Sequence, residues 1–181
     1  MKIYTKSGDD GTTGTLGQGR RPKSDLLIHV LGEIDELSAV LSQCVDIKTA
    51  NITQAVEIQS RLLDLGAEIA SLSTDSRYLV REIESDTKSL ESEIDQMDGQ
   101  LPALTNFILP GGSKEAKHLH IARAVCRRAE RALVELKVQE PTLRPESVKY
   151  LNRLSDWLFV RARYANSLAG IEDQIWVKKN D

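Results

Sequence analysis

Residues 113–139 read SKEAKHLHIARAVCRRAERALVELKVQ, and this stretch gives the clearest indication of how the chain folds. Apolar side chains recur along it every three or four residues, which is the spacing of one face of an α-helix. That face consists of Leu119, Ala122, Cys126, Ala129, Leu133 and Leu136. Ser113 suits the N-cap of the helix, and Pro141 disfavours its continuation. The stretch therefore predicts a long amphipathic helix that must pack against other elements.

Four further segments have the same helical periodicity. The first follows Asp25, a suitable N-cap, and the second spans about residues 52–72. The third carries apolar residues from Val80 to Met97, and the fifth begins near Pro145 and ends at Gly170. Only 4% of the residues are aromatic, which suits packed helices better than a β-sandwich. We therefore expect one all-α domain over 1–181: a loop-like arm (1–24), a five-helix bundle (25–170) and a loose tail (171–181).

The composition restricts the class of protein. A net charge of −3 gives no overall basic field, so we expect no nucleic-acid partner. No signal-peptide pattern and no apolar run of bilayer length occurs, so we expect a cytoplasmic protein with no membrane contact. Cys44 and Cys126 form no CxxC pattern, which indicates buried thiols in a reducing compartment. His29, His118 and His120 match no metal-binding spacing, so no protein metal site is expected.

A line of like charges marks the long helix. Arg123, Arg127 and Arg131 are four residues apart, a spacing at which like charges repel and weaken a helix. Three arginines in line therefore need an anionic partner, which could be a phosphate or carboxylate ligand. Carboxylates of the protein are the alternative, and the sequence leaves both open. The candidate carboxylates are Asp35, Glu36 and Asp156.

Polar residues also interrupt the fifth helix. Asn152 and Asp156 are poor choices for a helix interior and usually have a partner when they occur there. Phe159 lies on the same side of the helix. Either a ligand or hydrogen bonds between helices would explain the two polar residues.

The N-terminal arm has the residue types of an anion-binding loop. Glycines let backbone amides turn toward an anion, while hydroxyls and ammonium groups add further donors. The relevant residues are Thr5, Lys6, Ser7, Gly8, Gly11, Thr12, Thr13, Gly14 and Lys23. No GxxxxGK[ST] motif occurs, so the arm is not a Walker A loop. A plain flexible arm remains the alternative.

Five ordered motifs carry a resemblance to a known family. They are YTKSGDDGTT (4–13), GEIDEL (32–37), FILPGG (107–112), RRAER (127–131) and YLNRLSD (150–156). With these motifs the chain resembles the ATP:cob(I)alamin adenosyltransferases of the propanediol-utilisation type, from Lys2 to about Asn166. The chain departs from that pattern at Ser7, where Thr is frequent, and at Gln18, in a loop often richer in glycine.

The resemblance implies a ferritin-like, up-and-down five-helix bundle that forms a homotrimer. It places ATP between neighbouring subunits, held by the arm of one and the helices of the other. The implied ATP contacts are Thr5, Lys6, Ser7, Gly8, Thr13, Gly14, Lys23, Arg127, Arg128, Ala129, Glu130, Arg131 and Asn152. Asp35 would meet Arg127 across the interface, and these two join Arg131 and Asn152 as the expected catalytic residues. Phe107 would occupy the lower face of the corrin and exclude the nucleotide-loop base.

The implied reaction is attack of cob(I)alamin on the 5′-carbon of ATP, which gives adenosylcobalamin and releases triphosphate. Mg²⁺ would bind through the phosphates. Since the cobalt is the nucleophile, the absence of an activated Ser or Cys is expected. A cob(II)alamin reductase and an adenosylcobalamin-dependent enzyme are the expected partners. The alternative is a non-catalytic carrier of corrinoid or nucleotide that delivers adenosylcobalamin to a partner enzyme.

Overall fold

Five helices form one bundle in the computed structural model, which describes residues 2–16, 19–45, 52–72, 75–80 and 82–178. The helices are α1 (Leu26–Val45), α2 (Ile52–Ala70), α3 (Ile83–Asp98), α4 (Lys114–Gln139) and α5 (Pro145–Leu168). α4 packs against α1 and α5, while α5 also packs against α3, and α1 against α2. The predicted five-helix, mainly α-helical architecture is confirmed. No helix among the described residues is long and apolar enough to cross a membrane.

The ends of three helices follow from the capping residues. The carboxylate of Asp25 accepts a hydrogen bond from the backbone N–H of Leu27 at 2.8 Å, just as α1 begins. The hydroxyl of Ser113 accepts from the N–H of Ala116 at 3.1 Å at the start of α4. Both side chains satisfy amides that have no partner within the helix. Pro145 occupies the first turn of α5, where its missing N–H costs nothing.

Leucine is the most frequent residue of the core, which also contains both thiols. Cys44 and Cys126 are buried and unpaired. Burial raises the pKa of the Cys44 thiol to about 11, and it raises the pKa of the Cys126 thiol further still. Both thiols are therefore unreactive packing groups, as the sequence predicted.

The prediction that residues 1–24 form only a loop is wrong. Strands β1 (Thr12–Thr15) and β2 (Gly19–Pro22) pair as an antiparallel hairpin, with Thr13 opposite Arg21. Gly19 has φ +78°, which suits the turn into β2. Neither strand has the alternation of apolar and polar residues by which a half-buried strand is recognised, because little of the hairpin is buried.

The third helix begins later than its apolar pattern predicts. A short 3₁₀ turn covers Ser76–Tyr78, and α3 starts only at Ile83. Val80 is buried but lies before the helix, because its backbone bonds to other elements. Its N–H donates to the carboxylate of Glu68 at 2.7 Å, and its carbonyl accepts from Arg144 at 2.9 Å.

Glu68 on α2 is fully buried and fixes the start of α5. Its two oxygens accept hydrogen bonds from the guanidinium of Arg144 at 2.9 and 2.6 Å, and from the hydroxyl of Ser147 at 3.3 Å. The carboxylate in turn raises the pKa of Arg144. A buried charge with this many donors is costly to disturb.

We expect Glu68→Gln to lower the free energy of unfolding by about 1–3 kcal/mol, because an amide N–H₂ would then face donors that need an acceptor. Urea denaturation measures the change. Glu57→Gln, which removes an exposed charge from the same helix, is the matched control and should leave the stability unchanged. Equal stability of the two variants would contradict the role of the buried carboxylate.

The expectation of a loose tail is also wrong for residues 171–178. Ile175 forms an antiparallel bridge with Ile108, and backbone hydrogen bonds of 2.8 and 2.7 Å flank the bridge. Asp173 bonds to Arg163 and Asn166 of α5. Residues 179–181 lie outside the described part of the chain.

Candidate functional site

The arginines of α4 have different environments. Arg127 and Arg131 are exposed, and neither forms an ion pair or hydrogen bond with any residue that the structure describes. Arg128 is bound within the chain instead, to Glu33 at 2.5 Å and also to Glu36. Ala129 is fully buried in the core. Of the predicted α4 contacts, Arg127 and Arg131 are thus the cations left available to an outside anion.

Arg123, one turn before Arg127 on α4, lies beside Phe159 of α5. Its guanidinium stands 5.8 Å from the centre of the Phe159 ring, and its buried Nε has no partner among the described residues. Burial, with a smaller contribution from Arg127, lowers the pKa of Arg123.

His120 is only 6% exposed, and both of its ring nitrogens likewise have no partner among the described residues. Burial and Arg123 lower the pKa of this histidine, so the side chain is neutral at pH 7.

The polar residues of α5 lie opposite this line of arginines. The amide of Asn152 donates to the carboxylate of Glu130 at 2.9 Å, which connects α5 to α4. Asp156 accepts from Arg153, which also binds Glu91 of α3. Asn152 therefore has a partner on a neighbouring helix, whereas the partner of Asp156 lies on α5 itself. Because Glu130 directly precedes Arg131, this hydrogen bond brings the Asn152 amide of α5 to the part of α4 that carries Arg131.

Asp35 has no partner of its own in the described part of the chain. It is exposed on α1, and its side chain makes no hydrogen bond or ion pair there, whereas its neighbour Glu36 binds Arg128. Asp35 and Arg127 thus face outward on two helices that pack against each other.

The N-terminal arm is folded, with Arg20 at its centre. Arg20 donates to the hydroxyl of Thr12 at 2.9 and 2.7 Å and also binds the backbone carbonyl of Ser7. Asp10 accepts from the hydroxyl and N–H of Thr12, which holds the pKa of that carboxyl below its usual range. Arg20 was not among the residues that the sequence singled out in the arm. No local pattern could have indicated a contact that spans thirteen residues.

The expected phosphate-binding residues lie along this folded arm. The hydroxyls of Thr5 and Ser7 are 2.8 Å apart. Lys6 has φ +61°, a left-handed conformation that is uncommon for a residue other than glycine. The ammonium of Lys23 lies so near Gly8 that a Cβ on the glycine would stand 3.3 Å from Nζ. Thr13 and Gly14 belong to β1, so the arm presents hydroxyls, amides and the ammonium groups of Lys6 and Lys23.

The arm is attached to the bundle near the end of α4. Arg21 of β2 bonds to Asp25 at 3.1 Å and pairs with Glu140 at 3.6 Å. Within the described ranges, no hydrogen bond or ion pair connects the segment 5–14 to Arg127, Arg131 or Asn152 of the same chain. One chain therefore presents the arm and the arginines as two separate surfaces.

Phe107 lies at the other end of the bundle. Its ring is 81% exposed, and its one aromatic contact in the described chain is the edge of Trp176, with ring centres 6.5 Å apart. The two residues border a cleft with Leu104, Ile175 and Val177. The segment that carries Phe107 leads into the start of α4, and Arg131 lies about 25 Å from that start along the helix axis. Phe107 and Arg131 would thus contact different parts of a large ligand or ligand pair.

Comparison with known proteins identifies the family. Residues 3–165 match the family model described as cobalamin adenosyltransferase. The corrinoid adenosyltransferase MMAB of Homo sapiens is 39% identical over 99% of this chain and 74% of its own length. The cobalamin adenosyltransferase of Cupriavidus metallidurans is 41% identical over 99% of this chain and 96% of its own.

Solved structures agree with this result. A variant of the PduO-type ATP:corrinoid adenosyltransferase from Lactobacillus reuteri, complexed with cobalamin and ATP, has a TM-score of 0.92. It is 36% identical in sequence, and the match covers 98% of this chain and all of that one. A second variant, complexed with ATP, has a TM-score of 0.90. The resemblance carried by the five sequence motifs is therefore confirmed, and the chain belongs to the cobalamin adenosyltransferase family.

Proposed function

We propose that this protein transfers the 5′-deoxyadenosyl group of ATP to the cobalt of cob(I)alamin, giving adenosylcobalamin and triphosphate. The observation that carries the proposal is a pair of exposed arginines on α4, Arg127 and Arg131, which have no partner among the described residues, with Asn152 nearby on α5. Family membership over nearly the whole chain supports the same reaction.

The triphosphate binds between the arginines and the arm. Donors to the phosphates are the hydroxyls, amides and ammonium groups of Thr5, Lys6, Ser7, Gly8, Thr13, Gly14 and Lys23. Mg²⁺ would bind through the phosphates and would neutralise part of their charge. Arg131 and Arg127 act on the charge that develops as triphosphate departs. Glu130 orients Asn152 through their hydrogen bond. Arg128 and Ala129 hold α4 in place, the first through Glu33 and Glu36 and the second in the core.

The corrin lies against Phe107. An exposed aromatic ring at the border of an apolar cleft suits the flat face of a large macrocycle. A ring in this position occupies the place of the lower axial base. Without that base, cobalt(II) accepts an electron more readily, because a donor ligand no longer raises the energy of the acceptor orbital.

The chemistry then requires little more than alignment. The electron pair of cobalt(I) forms the bond to the 5′-carbon, and the bond from that carbon to oxygen breaks with its electrons passing to the triphosphate. The metal of the substrate is the nucleophile, so the protein contributes orientation and charge stabilisation.

The working form is a homotrimer of ferritin-like, up-and-down bundles, each a single domain. Two observations on the described residues support a site between subunits: segment 5–14 does not bond to Arg127 or Arg131 of its own chain, and Asp35 and Arg127 have no partners there. Asp35 of one subunit pairs with Arg127 of the next. Arg123, whose Nε has no partner among the described residues, offers a further donor on the same side of α4.

The reaction needs a source of cob(I)alamin and an enzyme that uses its product. The protein acts in the cytoplasm, where a reductase supplies cob(I)alamin from cob(II)alamin. An adenosylcobalamin-dependent enzyme receives the product.

The direct test is to mix the protein with MgATP and freshly reduced cob(I)alamin and to follow adenosylcobalamin by its absorption spectrum. We expect multiple turnovers and one triphosphate per product. Binding of ATP and corrinoid without turnover would support the alternative, a non-catalytic carrier. The native mass, measured in the same preparation, tests the trimer.

A further inference from the structure

We propose that Asp173, held by Arg163 and Asn166, is a positioning residue that sets the Phe107 ring for reactions that begin from cobalt(II). The inference rests on the proposed function, since the placement of this ring matters only if a corrin lies against it. Asp173 is in the tail, which the sequence did not connect to any site.

Arg163 connects three parts of the chain at the end of the bundle. Its side chain is only 4% exposed. It donates to the carboxylate of Asp173 at 2.8 Å and to the carbonyl of Pro102 at 2.8 Å, and it reaches Asp98 at the end of α3 at 3.4 Å. The segment that leads to Phe107 is therefore fixed at its beginning by the same side chain that holds the tail.

Asn166, one turn later on α5, fixes the end of that segment. Its Nδ2 donates to the carbonyl of Gly111 and to Asp173, both at 3.2 Å, and its Oδ1 accepts from the N–H of Ser113 at 2.9 Å. Gly112 has φ +100°, and a Cβ there would lie 2.1 Å from the Asn166 oxygen. The backbone of this turn therefore packs directly onto the amide.

The tail then holds the backbone of Phe107 itself. Beyond Asp173, the carbonyl of Gln174 accepts from the N–H of Leu109 at 2.8 Å. The N–H of Trp176 donates to the carbonyl of Phe107 at 2.7 Å, and the Trp176 ring meets the Phe107 ring edge to face. These are bonds to backbone atoms, so a shift of the tail moves the main chain that carries the ring.

Asp173 is the point at which this arrangement can be weakened with least damage to the core. Phe107 is too exposed to be fixed by packing, so its place is set by its backbone and by Trp176. Asp173 is the tail residue that makes side-chain bonds to two α5 residues, whereas Arg163 and Asn166 are themselves buried in the bundle. Loss of its carboxylate should release the tail and leave the five helices folded.

The experiment compares Asp173→Ala and Asp173→Asn with the unmodified protein and with Glu172→Ala. Glu172 is exposed and next in sequence, so its substitution removes the same charge from the same tail. Each protein is assayed with pre-reduced cob(I)alamin and, separately, with cob(II)alamin and a reductant. We expect Asp173→Ala to lose about tenfold in kcat from cob(II)alamin, as a small misplacement far from the chemistry can cause. The cob(I)alamin rate should change little, Asp173→Asn should lie between, and Glu172→Ala should match the unmodified protein.

Two further readouts separate positioning from general damage. With Asp173→Ala, the electron paramagnetic resonance spectrum of bound cob(II)alamin with MgATP should show more nitrogen splitting from the axial base. Acrylamide should quench tryptophan fluorescence more strongly in this variant, because release of the tail would expose Trp176 further. Trp157 is buried in the bundle and should not contribute to the change. Equal losses on both routes, or an unchanged cob(II)alamin rate and spectrum, would overturn the proposal. Failure of the proposed function is distinct, since the unmodified protein would then form no adenosylcobalamin from cob(I)alamin.

Discussion

Arg131→Ala should lower kcat for adenosylcobalamin formation by about 10²–10³-fold, the loss seen when one preorganised donor to a developing charge is removed. Arg131 is exposed and has no partner within the described chain, so its guanidinium is available to the departing triphosphate. Thermal unfolding should be unchanged, because the substitution breaks no bond of the described fold. Steady-state kinetics with pre-reduced cob(I)alamin measures the effect on chemistry alone.

Two companion variants sharpen this test. Arg131→Lys keeps the charge but loses the planar, two-pronged donor geometry, so an intermediate rate would show that geometry contributes beyond charge. Arg77→Ala removes an exposed arginine that pairs with Asp75 in the α2–α3 connection, and it should retain full activity. If Arg131→Ala were as active as Arg77→Ala, the residue would have no place at the phosphates.

The helices could be predicted from the sequence because their signals are local. Apolar spacing specifies a helix, and Asp25, Ser113 and Pro145 specify where helices begin. The hairpin of the arm could not be predicted in this way, since its strands consist of Thr, Gly and Arg with little burial. The position of the tail depends on a contact between Asp173 and Arg163, which only the folded bundle brings together.

The candidate site shows the same division between local and long-range information. The motifs indicated that the arginines of α4 are special, but they could not say which one binds inside the chain. That depends on the rotation of α4 against α1, which places Arg128 next to Glu33 and leaves Arg127 and Arg131 exposed. Arg20 was missed for a related reason, because its partners Ser7 and Thr12 come close only when the hairpin closes.

Arg131 on α4 and Phe107 before the start of α4 should give different kinetic defects when they are substituted. Loss of an arginine should slow the departure of triphosphate whatever the starting oxidation state of cobalt. Loss of an aromatic ring beneath the corrin should matter most when the enzyme must first make cobalt(I). The second prediction therefore concerns a ratio of two rates in one variant.

Phe107→Ala should lower the rate from cob(II)alamin about 10²-fold more than the rate from pre-reduced cob(I)alamin, a difference of about 2.7 kcal/mol in barrier height. The physical reason is the vacated lower face of the corrin, which readmits the axial base and makes cobalt(II) harder to reduce. Parallel assays with one reductant, and with corrinoid reduced beforehand, give the ratio directly.

The ratio is informative because a structural defect would not produce it. Leu63→Ala on α2 removes an apolar side chain of similar exposure, 76% against 81% for Phe107, and should leave both rates unchanged. Phe107→Leu keeps an apolar group in the position and should reduce the cob(II)alamin rate less than alanine does. Cobinamide, which lacks the nucleotide-loop base, should largely abolish the difference between the two routes in Phe107→Ala. A persistent difference with cobinamide would mean that the ring acts on the corrin directly and not by excluding its base.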